Sequence, residues 1–251
     1  VKAALNEAEK DRNVKAVVLR IDTPGGGVAP SDMIHHEIET FSKRTGRPVI
    51  ATIMGLGCSG GYYVACAADA IYAHPTAVTG SIGVIAVFPR LKRLADKVGW
   101  EQTVVKSGKM KDMGNPLRDM PEDERRVFQN MVDDFYNEFL AKVVACRPTF
   151  KTPDQLKPIA DGRIYTAKQA LDIGLVDGIG YLDDAIEAAK QRAGIVHANV
   201  VAYAYGSNEN PTLYSPTGSH HPSPVSLLNI DAAGVLGLSE PGFHYLWLPG
   251  E

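Results

Sequence analysis

Apolar residues in the first two hundred positions alternate between short unbroken runs and longer helical stripes. Ala16-Val-Val-Leu-Arg-Ile21 and Pro48-Val-Ile-Ala-Thr-Ile53 are nearly continuous, the pattern of a parallel strand covered on both faces. Each run ends in glycine, Pro24-Gly-Gly-Gly27 after the first and Gly55 and Gly57 after the second, and each turn leads into a helix. The helix after the first turn starts near Pro30 and sets Ile34, Ile38 and Phe41 on one face. The second, over 59–68, is small and apolar all round, which predicts a buried helix. Shorter strands are predicted at 70–73, 84–87 and 102–106, and a helix at 89–98. The longest stripe runs Val127, Phe128, Met131, Val132, Phe135, Phe139, Val143, in a helix that opens at Pro121 with acids in its first turn. Helices at 166–173 and 182–192, and the end of one over 1–12, complete the pattern. Strands alternating with helices predict an α/β fold built on a mainly parallel sheet.

The texture changes after Gly194. Residues 196–251 hold six of the 16 prolines, with Ser, Asn and Gly clusters and almost no helical period. The chain therefore divides into a body, 1–195, and an irregular C-terminal tail, 196–251, extended or docked. The end of that tail, Gly242-Phe-His-Tyr-Leu-Trp-Leu-Pro249, is aromatic and apolar, which suits docking on its own body or on a partner.

Composition narrows the function classes. With 45% hydrophobic and 22% charged residues and a net charge of −3, the chain is an ordinary globular protein. Collagen, coiled coil and wholesale disorder are excluded, and so small a charge gives no case for nucleic acid or an anionic membrane surface. Cys58, Cys66 and Cys146 are too few for a disulfide framework or a structural zinc site, so no metal is expected. No stretch reaches the roughly 18 apolar residues of a membrane-spanning helix. The chain opens in mid-helix at Val1 instead of Met, so we expect an upstream part, and the lack of an anchor says little about the full-length protein.

Candidate chemistry lies at the two glycine turns, which a parallel sheet brings to the C-terminal edge of its strands. In Gly57-Cys-Ser-Gly-Gly61 a serine stands between strand and helix with glycines on both sides, the way a sharp elbow presents a nucleophilic hydroxyl. The N–H groups of Gly60 and Gly26 would form a two-donor oxyanion hole. As plain structural turns, the same residues would make Ser59 an N-cap only. A serine nucleophile needs a base. Of the seven histidines, His35 and His36 lie on the first long helix, facing solvent or capping a packing surface. His74 follows a strand, His197, His220, His221 and His244 belong to the tail or its approach, and none falls in a turn beside Ser59. A neutral lysine can serve instead, and Lys106, Lys109 and Lys111 cluster after the 102–106 segment. Spacing does not choose among them.

Six ordered motifs carry a family resemblance: Ile21-Asp-Thr-Pro-Gly-Gly-Gly-Val28, Gly57-Cys-Ser-Gly-Gly-Tyr-Tyr-Val-Ala65, Thr79-Gly-Ser-Ile-Gly-Val84, Ser107-Gly-Lys-Met-Lys-Asp112, Gly162-Arg-Ile-Tyr-Thr166 and Gly174-Leu-Val-Asp177. Over about residues 1–192 the chain resembles the signal peptide peptidase A family of serine–lysine peptidases, which has the Clp protease/crotonase-like fold. The resemblance implies that Ser59 is the nucleophile and Lys111 the general base. Ser81 would hold the lysine amine, and Gly26 and Gly60 would supply the oxyanion-hole amides. An alanine usually precedes the nucleophile where this chain has Cys58, a small residue for a small one. The resemblance further implies peptide substrates such as released hydrophobic signal peptides, assembly into a homo-oligomeric ring, and no cofactor. It also implies an upstream membrane anchor and first core strand, with the catalytic domain outside the cytoplasmic membrane of a bacterium. Two other readings compete. A non-catalytic scaffold of the same fold would lack a dyad residue, and a crotonase-type acyl-CoA enzyme would need neither the serine nor the lysine.

Overall fold

One long central strand organises the sheet. In the computed structural model, residues 1–203 and the strand 242–246 are described, the latter with the side chain of Tyr245. The body begins with α1 (Lys2–Lys10), β1 (Val17–Thr23), β2 (Gly25–Gly27), α2 (Val28–Thr45), β3 (Val49–Cys58) and α3 (Gly60–Ala65). Then come β4 (Ala70–Ala73), β5 (Val78–Gly80), β6 (Ile85–Val87), α4 (Lys92–Val98), a 3-10 turn (Lys109–Asp112) and α5 (Glu122–Cys146). A short α6 (Pro153–Leu156), β7 (Ile164–Thr166), α7 (Ala167–Asp172), β8 (Gly178–Ile179) and α8 (Leu182–Arg192) close the body, and β9 (Gly242–Leu246) follows far downstream.

The first half of β3 pairs in parallel with β1 and β4, and its last three residues pair in parallel with β5. β8 extends the sheet beside β4 in parallel, and β7 closes the other end antiparallel to β5. Apolar side chains from both sheet faces meet helices. Ile38 and Phe41 of α2 pack with Leu5, Ala8 and Val49, while Ala185 and Ala189 of α8 pack on Ile50 and Ala70. The largest cluster joins Ile21, Ile53 and Ile71 to Tyr62, Phe139, Leu140 and Val143. Carboxylates satisfy backbone donors at the strand entrances: Asp69 accepts from the N–H of Val49 at 2.7 Å, and Asp177 from that of Ile71 at 2.7 Å. Asp177 also receives the buried Arg147 guanidinium at 2.9 Å, so the Gly174–Asp177 motif ties β4 to the end of α5.

Three expectations need correction. Segment 102–106 is not a strand: it is irregular and exposed, with Val105 95% accessible. It pairs with no described strand, and strand preference is realised only through such packing. The long stripe on α5 is buried only toward its C-terminal end, where Phe139, Leu140 and Val143 lie, whereas Val127 and Met131 stay exposed. His35 is buried, because the turn of α2 that carries it faces Tyr63 of α3. No described helix is long and apolar enough to cross a membrane. The tail expected over 196–251 lies mostly, at 204–241 and 247–251, outside the described residues. Its strand β9 lies antiparallel between β2 and β6 and completes a second, three-stranded sheet.

Candidate active site

β3 delivers Ser59 to the C-terminal edge of the sheet in a conformation that side chains rarely adopt, with φ 50° and ψ −114°. Holding a residue there costs about 1–3 kcal/mol. The surroundings enforce it: the Ser59 N–H donates to the Gly80 carbonyl at 2.8 Å, and its own carbonyl accepts from Tyr63 in the first turn of α3 at 2.9 Å. The glycines on either side are steric necessities. A Cβ on Gly57 would lie 2.7 Å from Ile53, and one on Gly61 2.8 Å from Thr23. The Ser59 hydroxyl is buried and has no hydrogen-bond partner among the described residues. Leaving such a group unpaired costs about 1–3 kcal/mol more. Two unfavourable terms at one residue mark a place organised for something other than stability.

The other glycine turn meets this elbow. Thr23 Oγ1 donates to the Gly25 carbonyl at 3.1 Å and holds the turn, and Gly25 takes φ 120°. A Cβ built on Gly25 would come 3.1 Å from the Gly60 nitrogen, and one on Gly60 3.1 Å from the Gly26 nitrogen. The two backbones approach this closely because neither carries a side chain there. Gly26 and Gly60 thus stand side by side next to the serine.

Ser81 reaches the same edge through sheet register. Gly80 of β5 lies opposite Cys58 of β3, so Ser59 and Ser81 leave adjacent strand ends. Ser81 also has positive φ, 51°, and its N–H donates to the Arg163 carbonyl at 2.8 Å. A Cβ on Gly80 would strike the Tyr165 ring at 2.7 Å, so β7 braces the turn that holds Ser81. This is the work of the Gly162–Thr166 motif within one chain. Ser81 lines a cavity of about 550 Å³ with Val84, Val132, Asp133, Tyr136 and Asp161.

Comparison with known proteins matches residues 42–196 to the family described as Peptidase family S49. A putative protease of Methanocaldococcus jannaschii is 37% identical over 213 residues, covering 85% of this chain and 67% of that protein. The chain belongs to peptidase family S49. Its architecture is the Clp protease/crotonase-like α/β fold. A putative signal peptide peptidase SppA of Enterococcus faecium is 37% identical over 79% of this chain and 57% of its own length. The chloroplastic serine protease SPPA of Arabidopsis thaliana is 33% identical over 86% of this chain and 32% of its own length. The chain thus spans between about a third and two thirds of these relatives.

The three lysines of this S49 chain have different surroundings. Lys106 pairs with Asp112 and donates to the Lys109 carbonyl at 3.0 Å, and Lys109 pairs with Asp123. Arg118 bridges Asp112 and the buried Glu124, and with Lys106 it holds the Asp112 carboxyl well below the usual range. Lys111 is exposed on the 3-10 turn that this network braces, and it has no ion pair or hydrogen bond through its amine among the described residues. Since the Ser59 hydroxyl is unpartnered, the single chain does not bring Lys111 onto it. Four of the five expected residues therefore share one locus, and the fifth stands outside it.

An aromatic cluster of the core packs beside the elbow. Tyr63 lies between His35, whose ring meets its edge at 5.3 Å, and Phe139, at 5.1 Å, and its hydroxyl donates to Asp32 at 2.7 Å. Burial pushes the Tyr63 phenol up and lowers His35 to about 4, so the imidazole is neutral at pH 7. Tyr62 donates to the Leu175 carbonyl at 2.7 Å, while Tyr63 packs in the aromatic part of the same core.

Proposed function

We propose that this chain is a serine endopeptidase in which Ser59 attacks a peptide carbonyl and Lys111 is the general base. One observation carries the reading: a buried, strained, unpartnered serine hydroxyl at the locus where Gly26 and Gly60 meet. A neutral lysine amine takes the Ser59 proton as Oγ bonds to the carbonyl carbon. The amides of Gly26 and Gly60 receive the oxyanion. The lysine then returns the proton to the leaving amine, and an acyl-enzyme remains. Water, deprotonated by the same lysine, attacks the ester and restores the serine. Lysine has no second ring nitrogen to be oriented, so a hydroxyl such as that of Ser81 suffices to hold the amine.

The base must travel to the serine, by closure of the 101–118 segment or from a neighbouring copy. Leu94, Val98, Trp100 and Val105 expose apolar surface on that segment and the helix before it, which supports assembly into a ring. Extended hydrophobic peptides, including released signal peptides, fit the reading, and the printed name of the Enterococcus faecium relative points to the same class. Attachment to a bacterial cytoplasmic membrane, with the catalytic domain outside, is part of this proposal and rests on the resemblance. The separation of Ser59 and Lys111 favours a second reading, a scaffold of the same fold that has no turnover. Intact-mass measurement after treatment with a fluorophosphonate decides between them. One adduct on Ser59, lost in Ser59→Ala and in Lys111→Ala, is expected of the peptidase. An unreacted, folded oligomer is expected of the scaffold.

A further inference from the structure

Two of the three cysteines meet where α3 and α5 end. Cys66 caps the C-terminus of α3, its N–H donating to the Tyr62 carbonyl at 3.0 Å, and Cys146 is the last residue of α5. Both pack in the core cluster that holds Tyr62 and Leu175, Cys66 buried within it and Cys146 half-buried against it. Their thiols hydrogen-bond to each other. The residue after Cys146 brings a cation to the pair. The buried Arg147 guanidinium donates through Nε to the Cys146 carbonyl at 3.0 Å and is fixed on its other side by Asp177 at 2.9 Å. A guanidinium held this close favours a thiolate. The pair is accordingly asymmetric: the hydrogen bond from Cys66, with Arg147 behind it, draws the Cys146 thiol below its ordinary value, whereas burial pushes Cys66 well up. The acidic thiol is the half-buried one, and the thiol that donates to it is the buried one. Cys58 is the contrast. Its Sγ donates to the Val78 carbonyl at 3.6 Å, and burial pushes it up to about 11. A buried thiol of that kind is inert, whereas an acidic thiol in contact with a second one is poised for exchange.

We propose that Cys146 and Cys66 form a thiol–disulfide exchange site that takes a small disulfide of the oxidised-glutathione class. The Cys146 thiol gives its proton to water, and the thiolate attacks one sulfur of the small disulfide. The S–S bond of that molecule breaks, one glutathione thiolate leaves and takes a proton from water, and a mixed disulfide stands on Cys146. Cys66 then attacks the Cys146 sulfur and passes its proton to the second departing glutathione thiolate. The two protein thiols are oxidised by two electrons, the small disulfide is reduced to two thiols, and an intrachain disulfide joins the end of α3 to the end of α5. Cys66 need not reach solvent, because the sulfur it attacks is already its hydrogen-bond partner. The new bond has a structural consequence. Helix α3 starts at Gly60, directly after Ser59, and shares its core cluster with α5 through Tyr62, Tyr63, Phe139 and Leu140. The disulfide ties these two helices together behind the elbow. The site uses neither the Ser59 hydroxyl nor turnover, so it stands apart from the peptidase reading.

Mass spectrometry of the full, reduced chain tests this directly. In excess oxidised glutathione at about pH 7 the wild type should lose two hydrogen masses. Digestion without reductant should then return Cys66 and Cys146 on one linked pair of peptides, with Cys58 still a free thiol, and dithiothreitol should restore the starting mass. Cys66→Ala removes the resolving thiol and should trap one glutathione on Cys146. Cys146→Ala should react at least about 10-fold more slowly than the wild type, because the two thiols that remain are buried. Should Cys66→Ala not fold, Cys66→Ser is the second variant, and the wild-type measurement needs neither. A wild type that keeps its mass, a lasting glutathione adduct on wild-type Cys146, or a disulfide that includes Cys58 would each overturn the proposal. Oxidation that starts only when all three thiols become reactive together, as on unfolding, would overturn it too. The same two-hydrogen loss is expected of Ser59→Ala, so a chain without peptidase activity is tested as sharply as one that has it.

Discussion

Ser59 and Lys111 sit at opposite extremes of packing. The elbow that holds Ser59 is buried, is braced by β5 on one side and the β1–β2 turn on the other, and leaves no space for a Cβ at three of its glycines. The 3-10 turn that holds Lys111 is exposed, and the ion pairs of Asp112 with Arg118 and Lys106 brace it where the elbow has hydrophobic packing. Exposed ion pairs contribute little, roughly 0–1 kcal/mol each, whereas the elbow is held by a core. The proposed nucleophile and its proposed oxyanion amides thus come together in the single folded chain. The proposed base depends on whatever brings the second region to the first.

The largest effect that tests this contrast belongs to the elbow. Ser59→Ala should reduce peptide turnover by about 1,000-fold or more and move the thermal unfolding midpoint upward, because it removes the proposed attacking atom and an unsatisfied buried hydroxyl together. Retained turnover would end the assignment. Lys111→Ala should cost about 100- to 10,000-fold, and Lys106→Ala and Lys109→Ala far less, since those amines are engaged in ion pairs. Mixing the inactive Ser59→Ala and Lys111→Ala chains sharpens the point: recovered turnover means that the base comes from a neighbouring copy, and none means closure within one chain. Ser81→Ala should cost about 10- to 100-fold in kcat, as expected of a group that orients an amine without taking part in the chemistry. Full activity would remove that role.

The smallest effect is on stability and concerns the aromatic cluster beside the elbow. His35 is lowered from 6.5 to about 4 by burial first and by Lys142 second, against the raising effects of Glu39 and Asp32. As pH falls through 6.5 the unfolded chain takes up a proton that the folded chain refuses until about pH 4. Stability from the neutral ring is therefore complete above pH 6.5 and lost between 6.5 and 4, at up to about 1.4 kcal/mol per pH unit. Chemical denaturation of the wild type and of His35→Gln across that range should show the steeper loss in the wild type. Parallel curves would mean that the ring is solvated.

Much of this was already legible along the chain. Two continuous apolar runs, each closed by glycine and followed by a helix, gave β1, β3 and the elbow between β3 and α3 within a few residues. Such signals survive because they are local: burial of a strand on both faces and the steric demands of a turn are met by consecutive residues. The same local logic overreached at 102–106, where a short apolar pattern pairs with no described strand, and at His35, whose burial depends on which way α2 rolls.

What consecutive residues could not decide were the meetings between distant ones. Gly26 comes to Gly60 across β1, α2 and β3, and Ser81 comes to Ser59 because β5 pairs with the last three residues of β3. Tyr245 reaches Tyr63 and Phe139 from the far end of the chain because β2 and β6 leave a strand-wide slot. Strand order and cavity shape are set by which edges and volumes remain after the whole core has packed. The sequence by itself determined β1, β3 and the main helices, the glycine elbows and the family. The tertiary structure alone decided that the elbow, the amides of Gly26 and Gly60 and Ser81 converge, that Lys111 stays outside, and that β9 lies between β2 and β6.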